Sequence, residues 1–211
     1  MAAILTGVNF HESVARLFTK IGRLLGYYQS RLGMLESFKI LIAAILSAVF
    51  YGIVHDQVTA RICIEYFTVF HPPVFATQSP TLLGLGWGII ATWWVGGFLG
   101  LLLVIAARIG SRPKLRVSAL LNPIGRLLLA MAASALVSGL VGFFLARHGA
   151  IAPPRWVISQ LAPIKWERFM ADWWAHCASY SVGFFGGIAL CISQYRKRSQ
   201  LQIDAPRTSN V

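Results

Sequence analysis

Residues 37–54 read SFKILIAAILSAVFYGIV, with no charge after Lys39. This run approaches the roughly 20 apolar residues that cross the hydrocarbon core of a bilayer. Three similar runs follow, at about 82–107, 119–146 and 172–194. Composition agrees, since 56% of the 211 residues are hydrophobic and only 12% are charged. Soluble domains carry about 25% charged residues. Mean hydropathy is +0.64. The expected fold class is an all-α integral membrane protein. Four transmembrane helices follow an amphipathic interfacial helix, and an extracytoplasmic cap covers the bundle. The length suits one bundle and leaves no room for a second soluble domain.

The formal net charge is +12. Nucleic acid is the usual partner of so basic a chain, but here the basic residues flank apolar runs and form no continuous patch, so none is expected. Their placement follows the positive-inside pattern. The first 39 residues, the loop after span 2, the start of span 3 and the tail together hold fourteen Lys and Arg, whereas loops 55–81 and 147–171 hold five. Both termini are therefore expected in the cytoplasm. The two poorer loops then face outward, and 195–211 forms a cytoplasmic basic tail.

Ahead of span 1, residues 1–36 are expected to form a cytoplasmic amphipathic helix. Phe10, Val14, Leu17, Phe18, Ile21, Leu24, Leu25, Tyr28, Leu32 and Leu35 recur at helical spacing, interrupted by Arg16, Lys20, Arg23 and Arg31. Asn9 and Glu12 have capping-box spacing. A basic helix with such a face suits a membrane interface, and packing on the bundle's own loops is the plainer alternative. Small residues recur along span 4 (Ala175, Ser179, Gly183, Gly187), span 3 (Ser134, Ser138, Gly142) and span 2 (Gly96, Gly100). Such faces let spans pack closely without a hydrophobic driving force. They serve equally for a tight bundle, a homo-oligomer or a larger membrane complex. Trp87, Trp173 and Trp174 fall near the outward ends of spans, where aromatic belts occur.

The titratable groups gather at that outward end. Residues 51–73 read YGIVHDQVTARICIEYFTVFHPP, and span 4 opens with WERFMADWWAHCASY. As a strand, the first segment would put Thr59, Arg61, Cys63, Glu65 and His71 on one face. As a continued helix it would put His55 near Thr59 and Asp56 near Ala60. In span 4, Asp172, His176 and Tyr180 share a helix face. The candidate set is His55, Asp56, Glu65, His71, Asp172 and His176. Mixed imidazole and carboxylate donors suit a divalent transition metal such as zinc, iron, manganese or copper. The same groups suit an acid–base cluster or a purely structural polar network, in which Arg61 would pair with Glu65. Cys63 and Cys177 fall on one side and could pair, although two unpaired thiols is the plainer reading.

The stretch 55–73, together with SPTLLGLGWG at 79–88, resembles a group of uncharacterised bacterial inner-membrane proteins. They carry a similar His-Asp…Glu-Tyr-Phe-Thr…His-Pro segment. The resemblance covers mainly residues 50–110. It implies a multi-pass protein of the bacterial plasma membrane and implies no activity.

Three function classes fit these residues: a metal-binding protein or metal-dependent enzyme acting at the outer face, an accessory subunit of a membrane complex, and a small channel or transporter. Spans 1 to 3 carry no ionisable residue at mid-depth, which weighs against the last. No Walker loop, dinucleotide fingerprint or nucleophile elbow is present.

Overall fold

The computed structural model describes residues 3–203, apart from the side chains of 3–14, 17, 18, 24, 25, 28 and 29. The side chains of the Asn9–Glu12 capping box and of His11, and the tail beyond residue 203, therefore lie outside what is described. The described chain is helical and has no strand. Helix α1 covers Ala3–Ile62, α2 Glu65–Thr68, α3 Pro80–Arg108, α4 Ser118–Arg147, α5 Arg155–Ile158 and α6 Trp166–Ile203, with a 3-10 turn at Pro163–Lys165. Four stretches are long and apolar enough to cross a membrane: Ser30–Ile62, Pro80–Arg108, Ser118–Arg147 and Pro163–Ile203. Large apolar side chains such as Phe50, Trp93, Leu129, Leu136 and Phe185 point outward, as they do where the solvent is lipid.

The chain divides into two units, Met1–Lys39 and Ile40–Val211. The first is helical and exposes both charge and apolar surface, with Arg23, Leu32 and Leu35 all accessible. The second holds the bundle.

Within the bundle α3 lies directly on α1. A Cβ on Gly88 would stand 2.6 Å from Cα of Ile53. One on Gly84 would stand 2.8 Å from the carbonyl oxygen of Asp56. Gly96 and Gly100 continue the contact against Ala48 and Ala44. On the other side α4 lies on α6, where a Cβ at Gly142 would meet the Met170 carbonyl at 2.8 Å. Without a hydrophobic drive between spans, this backbone proximity is what dispersion and weak Cα–H···O contacts need. The small-residue faces read from the sequence are thus engaged inside the chain.

The helix ends follow local chemistry. Ser79 caps α3 by accepting from Leu82 N–H, with Pro80 in the first turn, a position that needs no backbone donor. Gly149, at φ +69, follows the last turn of α4 in the left-handed conformation that glycine tolerates best. At the end of α1 the backbone stays helical through His55, Asp56 and Thr59 to Ile62. This decides between strand and helix for that segment, because each N–H keeps its partner four residues back and needs no sheet.

Two clusters tie the pairs together. At one end Cys63, Tyr66, Phe67, Leu83, Trp87, Val157, Leu161 and Phe169 pack into one apolar core. The segments joining α1 to α3 and α4 to α6 both contribute to it. Trp87 is buried there and stacks on Phe67, so it belongs to packing and not to an interfacial belt. At the other end Ile40, Leu103, Ala107, Leu115, Leu120 and Ile124 form a second core.

Beside this second core, α6 continues past its apolar stretch and carries Arg198, which is fully buried. Its Nη1 donates to the Ala106 carbonyl at 2.7 Å, Nε to Pro113 at 2.7 Å, and Nη2 to Ile109 at 2.9 Å and Arg112 at 3.1 Å. These carbonyls end α3 and form the following turn. They would otherwise lack intrahelical partners, and they stand at the negative end of the helix dipole. A guanidinium fork can satisfy several at once.

Two substitutions test this architecture. Gly88→Ala places a methyl against backbone that cannot yield, and should lower stability by about 1–3 kcal/mol. Gly97→Ala, where nothing lies within 4 Å, should leave the melting temperature in detergent unchanged. Arg198→Lys should destabilise nearly as much as Arg198→Met, by roughly 2–4 kcal/mol, because an ammonium cannot span four carbonyls. Rescue by lysine in thermal unfolding would show that charge alone matters.

Candidate functional site

Helices α1 and α6 are linked by polar groups at the end that carries the aromatic core. The Tyr51 hydroxyl and Ser179 Oγ are 2.8 Å apart. One turn further along, His176 Nε2 is 3.3 Å from Asp56 Oδ1, and His55 Nε2 is 3.3 Å from His176 Nδ1. Asp56, Asp172, His176 and Ser179 are all buried. Helical spacing explains the set: Tyr51 and His55 lie one turn apart on α1, as do Asp172 and His176 on α6. The Gly84 contact holds the Asp56 backbone against α3.

Donor and acceptor roles define the chemistry. His176 Nδ1 is 2.9 Å from the Asp172 carbonyl, which can only accept, so Nδ1 carries the proton. That proton also faces His55 Nε2, making it an acceptor. In the neutral rings both Nε2 atoms then bear lone pairs. His176 Nε2 faces Asp56 Oδ1 at 3.3 Å, a contact that either a proton on the ring or a bound cation would bridge. Nearby, Asp172 Oδ2 is buried without a hydrogen-bond partner, and the Asp56 carboxylate is its charged neighbour. Such an orphan is expensive in low dielectric unless positive charge is at hand.

His55, Asp56 and His176 each offer one ligand atom, and these atoms lie within 4.8 Å of one another. The 3.3 Å edge between His176 and Asp56 matches the ligand separation in a tetrahedral site with bonds of about 2.0–2.1 Å. Donation from the second ring nitrogen to a backbone carbonyl is the usual way a metal-bound histidine is oriented. Tyr66 stacks on the His176 ring at 4.4 Å between centroids, and Tyr51 stacks on His55 at 5.7 Å, which fixes both rings.

The six sequence candidates thus separate. His55, Asp56 and His176 converge, and Asp172 stands beside them. Glu65 does not join them: it pairs with Lys165, and Arg61 instead donates to Gln57 and to Thr81 Oγ1. Burial alone would raise the Glu65 carboxyl, but the hydrogen bond from Lys165 holds it below the usual carboxylate range. His71 also lies apart, its Nδ1 donating to the Tyr66 carbonyl at 2.7 Å and its ring against Trp87. Its burial lowers its affinity for a proton more than that hydrogen bond raises it. A strand would have put Glu65 and His71 on one face. The turn at 63–64 and the short α2 instead carry Glu65 to Lys165 and the His71 ring to Trp87.

The cysteines are unpaired, with Cys63 buried and Cys177 exposed. Burial, reinforced by the negative charges of Asp172 and Glu65, pushes the Cys63 thiol up to about 12, so it offers no thiolate at neutral pH. Burial likewise raises the Tyr66 hydroxyl far above its ordinary value. His148 is exposed and donates from Nδ1 to the Phe144 carbonyl, closing the end of α4.

Sequence reasoning passed over Tyr51, Tyr66 and Ser179. Tyr51 lies one turn before His55, a signal available in the sequence. Ser179 was read only as a small packing residue. Tyr66 reaches His176 through tertiary packing that no spacing reveals.

No protein-family model, curated protein or solved structure matches this chain.

His71 provides a pH test. Its proton affinity in the folded state lies below the unfolded value of 6.5. Below that pH the unfolded chain takes up a proton that the folded chain resists, so stability is lost as pH falls. His71→Gln should flatten the decline in melting temperature between pH 7 and pH 5. A decline equal to wild type would remove His71 as its source.

Proposed function

We propose that this membrane protein binds a divalent transition metal through His55, Asp56 and His176. Supporting this reading above all is the convergence of two histidines and a carboxylate in one buried group, with the opposite ring nitrogen of His176 already engaged by a carbonyl. Two imidazoles and one carboxylate form a set that suits zinc or iron. Asp172 is buried beside them on α6. Three protein ligands with a position left for substrate or water characterise catalytic metal sites. The reading therefore extends to a metal that polarises a bound carbonyl or activates water.

Topology belongs to the same proposal. The excess of Lys and Arg around the Arg198 end assigns it to the cytoplasm. The metal centre then faces outward, beneath the aromatic cluster, in a bacterial plasma membrane. A channel is disfavoured, since the space between the spans is apolar over most of its length. An accessory-subunit role loses its main support, because the small-residue faces pack against helices of the same chain.

Elemental analysis of the detergent-purified protein tests the centre. About one metal per chain is expected, with the metal lost from His55→Ala, Asp56→Asn and His176→Ala but kept in Glu65→Gln. Chelation should lower the melting temperature of wild type, by the free energy of a ligand that binds only the folded state. Folded wild-type protein that takes up no metal from zinc, iron, manganese or copper solutions would overturn the reading.

A further inference from the structure

Between the two glycine-packed pairs lies a cleft of about 660 Å3, within the roughly 300–1,000 Å3 range of small-molecule sites. Helices α1, α3, α4 and α6 all line it. Its body is apolar, formed by side chains such as Ala44, Leu99, Leu128 and Met131. Polar groups gather at one end, where Tyr51, His55, Asp56 and Ser179 line the wall. Trp94, Phe98 and Phe184 also line it, and these are 58%, 51% and 45% exposed. The mouth therefore opens sideways at the depth of the spans, where an occupant arrives from the bilayer and not from water.

We infer that the cleft binds one long-chain neutral lipid, its chain along the apolar body and a terminal hydroxyl or carbonyl at Tyr51, Ser179 and His55. Lipid chains gain little from moving between bilayer and an apolar groove, because the two environments are equally apolar. Selection must then come from the polar terminus. In hydrocarbon an unpaired hydroxyl or carbonyl is costly, and the Tyr51–Ser179 pair with His55 supplies both donors and acceptors.

Charge sets the class of terminus. No lysine or arginine is among the lining residues, whereas Asp56 is. Without a metal, a carboxylate or phosphate would lie against Asp56 with no lysine or arginine among the described lining residues to pair it, while a neutral oxygen would meet hydrogen-bond donors. Since Asp56 and His55 also belong to the metal centre, the terminus would sit beside any bound metal. Occupancy of the cleft does not require one.

The test uses the full chain in lipid nanodiscs and a photoreactive hexadecanol carrying a diazirine near the middle of its chain. After illumination, label should concentrate on peptides containing Leu128, Met131 and Phe184. On chelator-treated protein unlabelled hexadecanol should compete, and palmitate at neutral pH should not. Tyr51→Phe should weaken labelling by about tenfold, the order expected when one hydroxyl is left unpaired. Ser47→Phe and Leu128→Phe, which fill the cleft from α1 and α4, should abolish it. Label spread evenly over outward residues such as Leu129 and Phe185 without competition would overturn the inference. So would equal competition by palmitate on chelator-treated protein. These wild-type outcomes hold whether or not the variants fold. Repeating the labelling on chelator-treated protein separates the two proposals: labelling that persists there leaves the cleft standing even if the chain binds no metal. Labelling lost on chelation and restored by metal would overturn a cleft that binds by its own hydrogen bonds.

Discussion

The backbone contact between α1 and α3 is the constraint on which the rest depends. Gly84 and Gly88 let the two helices meet with no side chain between them. That contact fixes the rotation and height of α1 at the turns that carry Tyr51, His55 and Asp56. A side chain at either glycine would push α1 outward, and its polar groups would no longer meet those of α6. The α4–α6 contact at Gly142 sets the position of α6 in the same way. Two pairs built on backbone proximity then meet through side chains.

They meet differently at the two ends. At one end the link is polar and made by titratable groups: Tyr51 to Ser179, Asp56 to His176 and His55 to His176. At the other it is Arg198, set into the carbonyls that end α3, with an apolar core beside it. These side-chain links between helices lie toward the two ends, and the cleft runs from the polar end into the apolar middle. A low dielectric strengthens satisfied polar links and makes an incomplete one costly. The buried, unpartnered Asp172 Oδ2 therefore marks the place where the polar cluster alone leaves a requirement unmet.

Burial of the site comes from aromatic residues contributed by three segments. Tyr66 from α2, Phe169 from the start of α6 and Trp87 from α3 surround the two histidine rings or their neighbours. Water is kept from the cluster by these residues, while the mouth of the cleft lies on the flank. A polar end joined to an apolar, laterally open body is an arrangement suited to amphiphiles.

The four spans were legible in the sequence because each must satisfy its own backbone in hydrocarbon, and length and apolarity record that need directly. Helical spacing also placed Asp172 beside His176, and His55 with Asp56 at the end of span 1. Beyond that, sequence gave residue types without partners. Glu65 and His71 looked equivalent to His55 and His176, but a turn after Ile62 sends them to Lys165 and Trp87, and no periodicity encodes the direction of a turn. Arg198 looked like one more cytoplasmic charge, because the carbonyls it holds are some ninety residues away in the chain. The sequence by itself determined what each helix had to be, since backbone hydrogen bonding is local. Only the tertiary structure decided which polar groups meet, since a shared cation site depends on the rotation of one helix against another, fixed by glycines that carry no chemistry of their own.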